Sequence, residues 1–143
     1  MATIVGLLNW LNNLPHQIEP LPSDFQAAAE EQRERIKERT EAGMGVEGNI
    51  FPPYSPATKK APPVNLEETG DMMGSIMVAA DYDGARIFFS SSEAEQKARY
   101  HNEGTKHMPQ RKFFGVSYDD QYKIGGTVFK RLMTRLRRLN WEE

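Results

Sequence analysis

Apolar and polar positions repeat along this chain with two different periods. Over residues 24–42 Phe25, Ala28, Ala29 and Ile36 recur at helical spacing among Glu, Gln and Arg. That pattern predicts a helix with a narrow apolar stripe, lying on the surface or packed against a partner subunit. Ser23 is the expected N-cap, Asp24 suits the positive end of the helix dipole, Glu31 and Arg35 form an i,i+4 pair, and Gly43 is the expected stop. A second long helix is predicted from near Asp119 to about Leu139, with Tyr122, Phe129, Leu132, Met133, Leu136 and Leu139 along one face. Gly125 and Gly126 stand where that face would need close backbone approach.

Between these helices the period shortens. Residues 75–81 and 85–90 read as strands joined through Asp81-Tyr82-Asp83-Gly84, and a Gly after Asp is a strong hairpin signal. Ile87 and Phe89 alternate with Arg86 and Phe88, so one face of the hairpin is expected to be buried. Leu66 to Ser75 reads as a short helix or turn, residues 90–99 are polar and admit a helix, and Phe113-Phe114-Gly115-Val116 reads as a short strand. Near the start, Ile4, Val5, Leu7, Leu8, Trp10, Leu11 and Leu14 predict an amphipathic helix over about 3–14 that docks on its own domain or on a neighbour. No Lys or Arg precedes it and Asn9, Asn12 and Asn13 interrupt it, unlike a signal peptide, and it is too short and polar to span a bilayer.

Residues 43–65 show neither period. Gly43, Gly45 and Gly48 allow turns, and five of the nine prolines fall at 52–63. Proline fixes φ and removes the amide donor, which predicts an extended arm without ladder hydrogen bonds. Phe51 and Tyr54 are its expected anchors. The elements together predict an α+β fold: a small, mostly antiparallel sheet packed by long helices, with an extended Pro-rich arm. We read residues 1–143 as a single domain, with 1–22 an N-terminal helix and Pro-rich connection, 43–65 the arm, and 66–143 the sheet and C-terminal helix.

Composition sharpens this picture. Hydrophobic residues make up 38% of the 143 positions and charged residues 27%, which implies a thin core, extended arms, or surface buried only in an assembly. A net charge of −2 argues against a generally basic nucleic-acid binder. With no cysteine there are no disulfides, thiolate metal sites or cysteine nucleophiles.

Candidate chemistry is sparse. His101 and His107 are six apart, outside the spacing of a helical metal pair, and are read instead as a turn residue and a surface residue, even with Glu103 near. Ser55 and Ser90-Ser91-Ser92 lack a nucleophile elbow or a recognisably spaced base. Glu67-Glu68 and Asp119-Asp120 look like helix starts rather than an acid/base pair. Gly43-x-Gly45-x-x-Gly48 runs into Phe-Pro-Pro instead of a helix, so it is no phosphate cradle. We therefore expect no catalytic, cofactor or metal site and no enzymatic activity. Arg131, Arg135, Arg137 and Arg138, with Arg111, Lys112, Lys123 and Lys130, form a local basic excess. It suits a solvated face or an acidic partner better than nucleic acid, because no aromatic residues interleave it.

Three punctuated segments stand in a fixed order: Gly48 to Thr58 (GNIFPPYSPAT), Leu66 to Ile76 (LEETGDMMGSI), and Tyr100 to Ser117, which holds Gly104, Thr105, Pro109, Arg111, Phe113, Phe114 and Gly115. In order and spacing the chain resembles the virion-morphogenesis, or tail-completion, family of tailed bacteriophages over residues about 30–125. Phe51 stands where that family often has Trp, His101 directly follows Tyr100, and the stretch from Thr58 to Leu66 is short. The resemblance implies a structural virion protein of the neck or head-proximal tail end, assembled in the bacterial host cytoplasm, that completes the tail and joins it to the head. Its implied partners are copies of itself in a ring, a hexamer matched to the tail tube, with other neck, tail-terminator or tail-tube proteins, and DNA passing through the lumen, but no membrane. A tail terminator and a DNA-contacting accessory protein using the basic C-terminal helix are the alternatives. Expected interface residues are Trp10, Phe25, Phe51, Pro52, Pro53, Tyr54, Arg111, Phe113 and Phe114. Read physically, Gly70 and Gly104 mark turns of unusual φ, Arg111 can hold a carboxylate or backbone carbonyls in a fork, and Phe113 and Phe114 plug a core or a subunit seam.

Overall fold

The fold was described from a computed structural model, covering residues 19–55, 64–66 and 70–139. The expected helix over 3–14, with Trp10, and the second half of the arm lie outside the described residues. Helix α1 spans Pro22–Glu41, the one-turn helix α2 Asp71–Gly74, strands β1 and β2 Ile76–Asp81 and Gly84–Phe89, helix α3 Ser92–Glu103, and helix α4 Tyr118–Leu139. The two strands form one antiparallel hairpin. The fold is α+β, as the sequence periods predicted.

Local chemistry accounts for most element ends. Helix α1 starts two residues before the position expected from Ser23. Pro22 takes the first helical position, where a missing N–H costs nothing, and Ser23 falls inside the first turn. The capping role passes to Asp24, whose carboxylate reaches back to the Leu21 amide at 2.8 Å. At the other end Gly43 adopts φ 81°. Its N–H reaches the Thr40 carbonyl at 2.9 Å while the Met44 N–H reaches that of Arg39 at 2.8 Å, the paired bonds of a Schellman stop. In the hairpin turn, Asp81 Oδ1 accepts from the amides of Asp83 and Gly84, and the Ser90 amide extends the ladder to the Ser75 carbonyl. Ser91 caps α3 by accepting from the Ala94 amide at 3.1 Å. The hairpin alternates as expected, yet Ile87 and Phe89 are half-buried rather than buried, with Arg86 and Phe88 exposed.

The chain forms two compact units, each discontinuous in sequence. The first takes residues up to Gln32, Val78–Ile87, and Tyr118 onward. Its core is Phe25 and Ala28 of α1 with Val128 and Leu132 of α4, and Ala80, Ala85, Ile124 and Leu136 pack around them. Helix α4 is therefore rolled relative to the expected face. Tyr122 is 82% exposed and Phe129 39%, whereas Asp120 and Val128 are buried and Met133 is half-buried. The roll follows from polar residues that occupy the inner face: Gln32 Nε2 donates to Asp120 Oδ2 at 3.0 Å, both side chains buried. The bond gives each buried side chain a partner across the two helices, which offsets part of the cost of burying it. Gly126 does not serve close approach, since a Cβ there would meet nothing within 4 Å.

The second unit takes Arg33–Met77 and Phe88–Ser117. Ile36, Val46, Phe51, Leu66, Met72, Met73, Ile76, Ala94, Ala98 and Phe113 are its buried apolar residues. Helix α2 packs against α3. Residues 113–116 form no strand. The Phe113 and Phe114 amides bond to a side chain instead of a neighbouring strand, as described next.

Candidate functional site

The three ordered sequence segments meet within the second unit. Arg111, only 3% exposed, extends its planar guanidinium to the arm. Nε donates to the Pro52 carbonyl at 2.9 Å and Nη2 to the Pro53 carbonyl at 2.8 Å. The sequence left open whether this fork would hold a carboxylate or carbonyls; it holds two successive carbonyls. Prolines cannot donate to a ladder, so this segment is tied down through its acceptors. The same guanidinium lies over the Tyr54 ring, 5.0 Å from its centroid, a cation–π contact that flattens the arm against Arg111. The Tyr54 hydroxyl accepts from the Leu66 amide at 3.2 Å, which ties in the second segment. Leu66 is buried and holds φ 59°, a conformation a branched side chain seldom takes and that its surroundings must enforce.

A second clasp holds the third segment to itself. Asn102, at the end of α3, accepts through Oδ1 from the amides of Phe113 at 3.1 Å and Phe114 at 3.0 Å, and donates through Nδ2 to the Phe114 carbonyl at 2.7 Å. One side chain thus replaces a strand partner, which is why 113–116 runs irregularly. The Arg111 amide donates to the His101 carbonyl at 2.7 Å. Fully buried Phe113 sits edge-on to Phe89 and to the His101 ring, while Phe114 tilts on Phe89 with centroids 4.7 Å apart. Between the clasps the chain turns back at Gly104, where φ is 75° and an added Cβ would lie 3.2 Å from the Gln110 Cα. Gly70 likewise holds φ 77°. The 43–51 turn leans on this segment: the Val46 amide donates to the Lys112 carbonyl at 2.9 Å, and Arg39 to the Gly115 carbonyl at 2.8 Å.

The first unit carries a separate charged centre. Asp24 is fully buried, and Arg131 Nε donates to Oδ1 at 2.9 Å, Arg135 Nη1 to Oδ1 at 2.7 Å and Arg135 Nη2 to Oδ2 at 2.6 Å. Burial by itself would raise the Asp24 pKa. The bonds from Arg135, the Leu21 amide and Arg131 outweigh it and hold the carboxyl below its ordinary value.

These placements sort the expected interface residues. Phe25, Phe51, Phe113 and Arg111 are buried within their own chain. Pro52, Tyr54 and Phe114 are half-buried, and Pro53 is exposed. Of the basic set, Arg131 and Arg135 are ion-paired to Asp24, while Arg137 and Arg138 are exposed. Among the described residues no group of three or more His, Asp or Glu side chains is placed to hold a metal ion, and His107 is exposed. Asn102 and Asp24 were not singled out as anchors by sequence reasoning. The signal for Asn102 was its place before a helix-ending Gly; for Asp24 it was a basic run at helical spacing elsewhere in the chain. Compared with known proteins, the chain matches no family model, no curated protein and no solved structure.

Proposed function

We propose that this chain is a structural protein of a tailed-phage particle, located at the neck or head-proximal end of the tail, where a ring of copies completes the tail and joins it to the head. The observation that carries this reading is the interlocking of the three ordered segments. Arg111 of the third grips Pro52 and Pro53 of the first, and Leu66 of the second bonds Tyr54 of the first. Residues that resemble a family signature, up to 59 positions apart, act here as one clasp on an extended arm. Fixing an arm before assembly lowers the ordering cost of docking it on a neighbour. Copies arranged head to tail about a closed rotation give a ring. The DNA-contacting alternative loses part of its basic face, because Arg131 and Arg135 are both engaged by Asp24, while Arg137 and Arg138 stay exposed.

The test is electron microscopy of lysates from the source phage with this gene disrupted. Full heads beside separate tails of normal length are expected. Tails of uncontrolled length would move the role to a terminator, and intact infectious particles would overturn the reading.

A further inference from the structure

The outward surfaces of α1 and α4 carry opposite charge. On α1, Glu30, Glu34, Glu38 and Glu41 are exposed and follow at i, i+4, i+8 and i+11, one line about 17 Å long at the helical rise. The cations of the same helix, Arg33, Arg35, Lys37 and Arg39, are all half-buried. A helix of nearly balanced composition thus turns an acidic stripe outward. On α4, Lys123, Lys130 and Arg137 are exposed at i, i+7 and i+14, a line of about 21 Å, with exposed Arg138 beside its end.

Few of these charges are paired among the described residues. Glu34 pairs with Arg33 at 3.3 Å and Lys37 at 3.9 Å, Glu30 accepts from Gln26, and Lys123 pairs with Asp119 at 2.9 Å. Glu38, Glu41, Lys130, Arg137 and Arg138 have no ion pair among the described residues. Glu34, Glu38 and Glu41, with Lys37 among them, also line an open groove of about 330 Å³ together with Asn65 and Met73. Within the first unit the inner side of α4 already engages α1 carboxylates: Arg131 and Arg135 bind Asp24, and Thr127 donates to Glu31.

We propose that the two outer stripes are the halves of a heterologous contact between copies of this chain, the acidic α1 stripe of one copy facing the basic α4 stripe of the next. Two different patches that meet in this way propagate in one direction and close into a ring when the rotation allows. The closure rests on the neck reading; the contact itself does not. Tyr118 and Tyr122 of the same helix are exposed as well, and in the contact the stripe charges set register and speed encounter.

The test uses the full chain and two charge-reversed variants, Glu34→Lys/Glu38→Lys and Lys130→Glu/Arg137→Glu, with folding checked by circular dichroism and assembly followed by mass photometry and native mass spectrometry. Wild type is expected to assemble at low salt and to weaken at least about tenfold at roughly 1 M salt, where the screening length falls to about 3 Å. Each variant alone is expected to remain monomeric. An equimolar mixture is expected to reassemble, in rings of even copy number only, because acidic and basic faces then match only in alternation. Wild type that stays monomeric at low salt, a variant that assembles like wild type, or a mixture that does not recover would each overturn the proposal. Failure of the neck reading appears separately, as infectious particles formed without the gene.

Discussion

Replacing Asp24 by Asn probes the buried charge centre of the first unit. The carboxylate accepts four bonds, from the Leu21 amide, Arg131 Nε and both terminal nitrogens of Arg135, and is itself fully buried. Removing one member of a fully buried pair costs about 3–5 kcal/mol. That is an upper bound here, because the Arg131 and Arg135 side chains are 43% and 28% exposed and rehydrate when released. Asn keeps one acceptor oxygen, which can hold the Leu21 amide but not the arginine donors as well, and its NH2 group would face a guanidinium. We expect a net loss of about 2–3 kcal/mol, read as a lower urea midpoint with unchanged slope and a melting temperature lower by roughly 6–9 °C. The pH dependence has a definite sign. The folded pKa lies below the ordinary value of 3.8, so the stabilisation is fully present above that value and is lost as pH falls through the folded pKa. The gap between wild type and Asp24→Asn should be constant from neutral pH to about pH 5 and close at lower pH. A variant within about 0.5 kcal/mol of wild type, or a gap that persists undiminished to about pH 2, would refute this account of the centre.

Other perturbations address the second unit and the glycines. Arg111→Lys keeps the charge but cannot span the Pro52 and Pro53 carbonyls or stack flat on Tyr54; hydrogen exchange at the Phe51 and Tyr54 amides should speed at least about tenfold, with a stability loss of about 1.5–3 kcal/mol. Asn102→Ala leaves the Phe113 and Phe114 amides without their acceptor and should cost about 1–3 kcal/mol in chemical denaturation. Gly104→Ala should destabilise by about 1–2 kcal/mol, since φ is 75° and Gln110 backbone lies within 3.2 Å of the new Cβ. Gly126→Ala, in the interior of α4 with open space around it, should instead raise stability by about 0.5–1 kcal/mol in the same melts.

Local signals in the sequence determined the elements. The Asp81–Gly84 turn, the period-two strands beside it, the glycine after α1 and the apolar spacing of α1 and α4 each depend on neighbours a few residues away, so the α+β architecture was legible without coordinates. The fork on Arg111 and the positive-φ glycines at 70 and 104 were also legible, because residue chemistry restricts what those positions can do. Tertiary structure decided the rest. Whether Asp24, Gln32 and Asp120 lie inside or outside depends on partners up to 111 residues away, and polar residues enter a core only when such a partner satisfies them. That is why α4 buries Asp120 and Val128 and leaves Tyr122 in solvent. The same reason separates 113–116 from a true strand. Its residues have strand propensity, but strand formation needs a second backbone, and here the Asn102 side chain reaches those amides first.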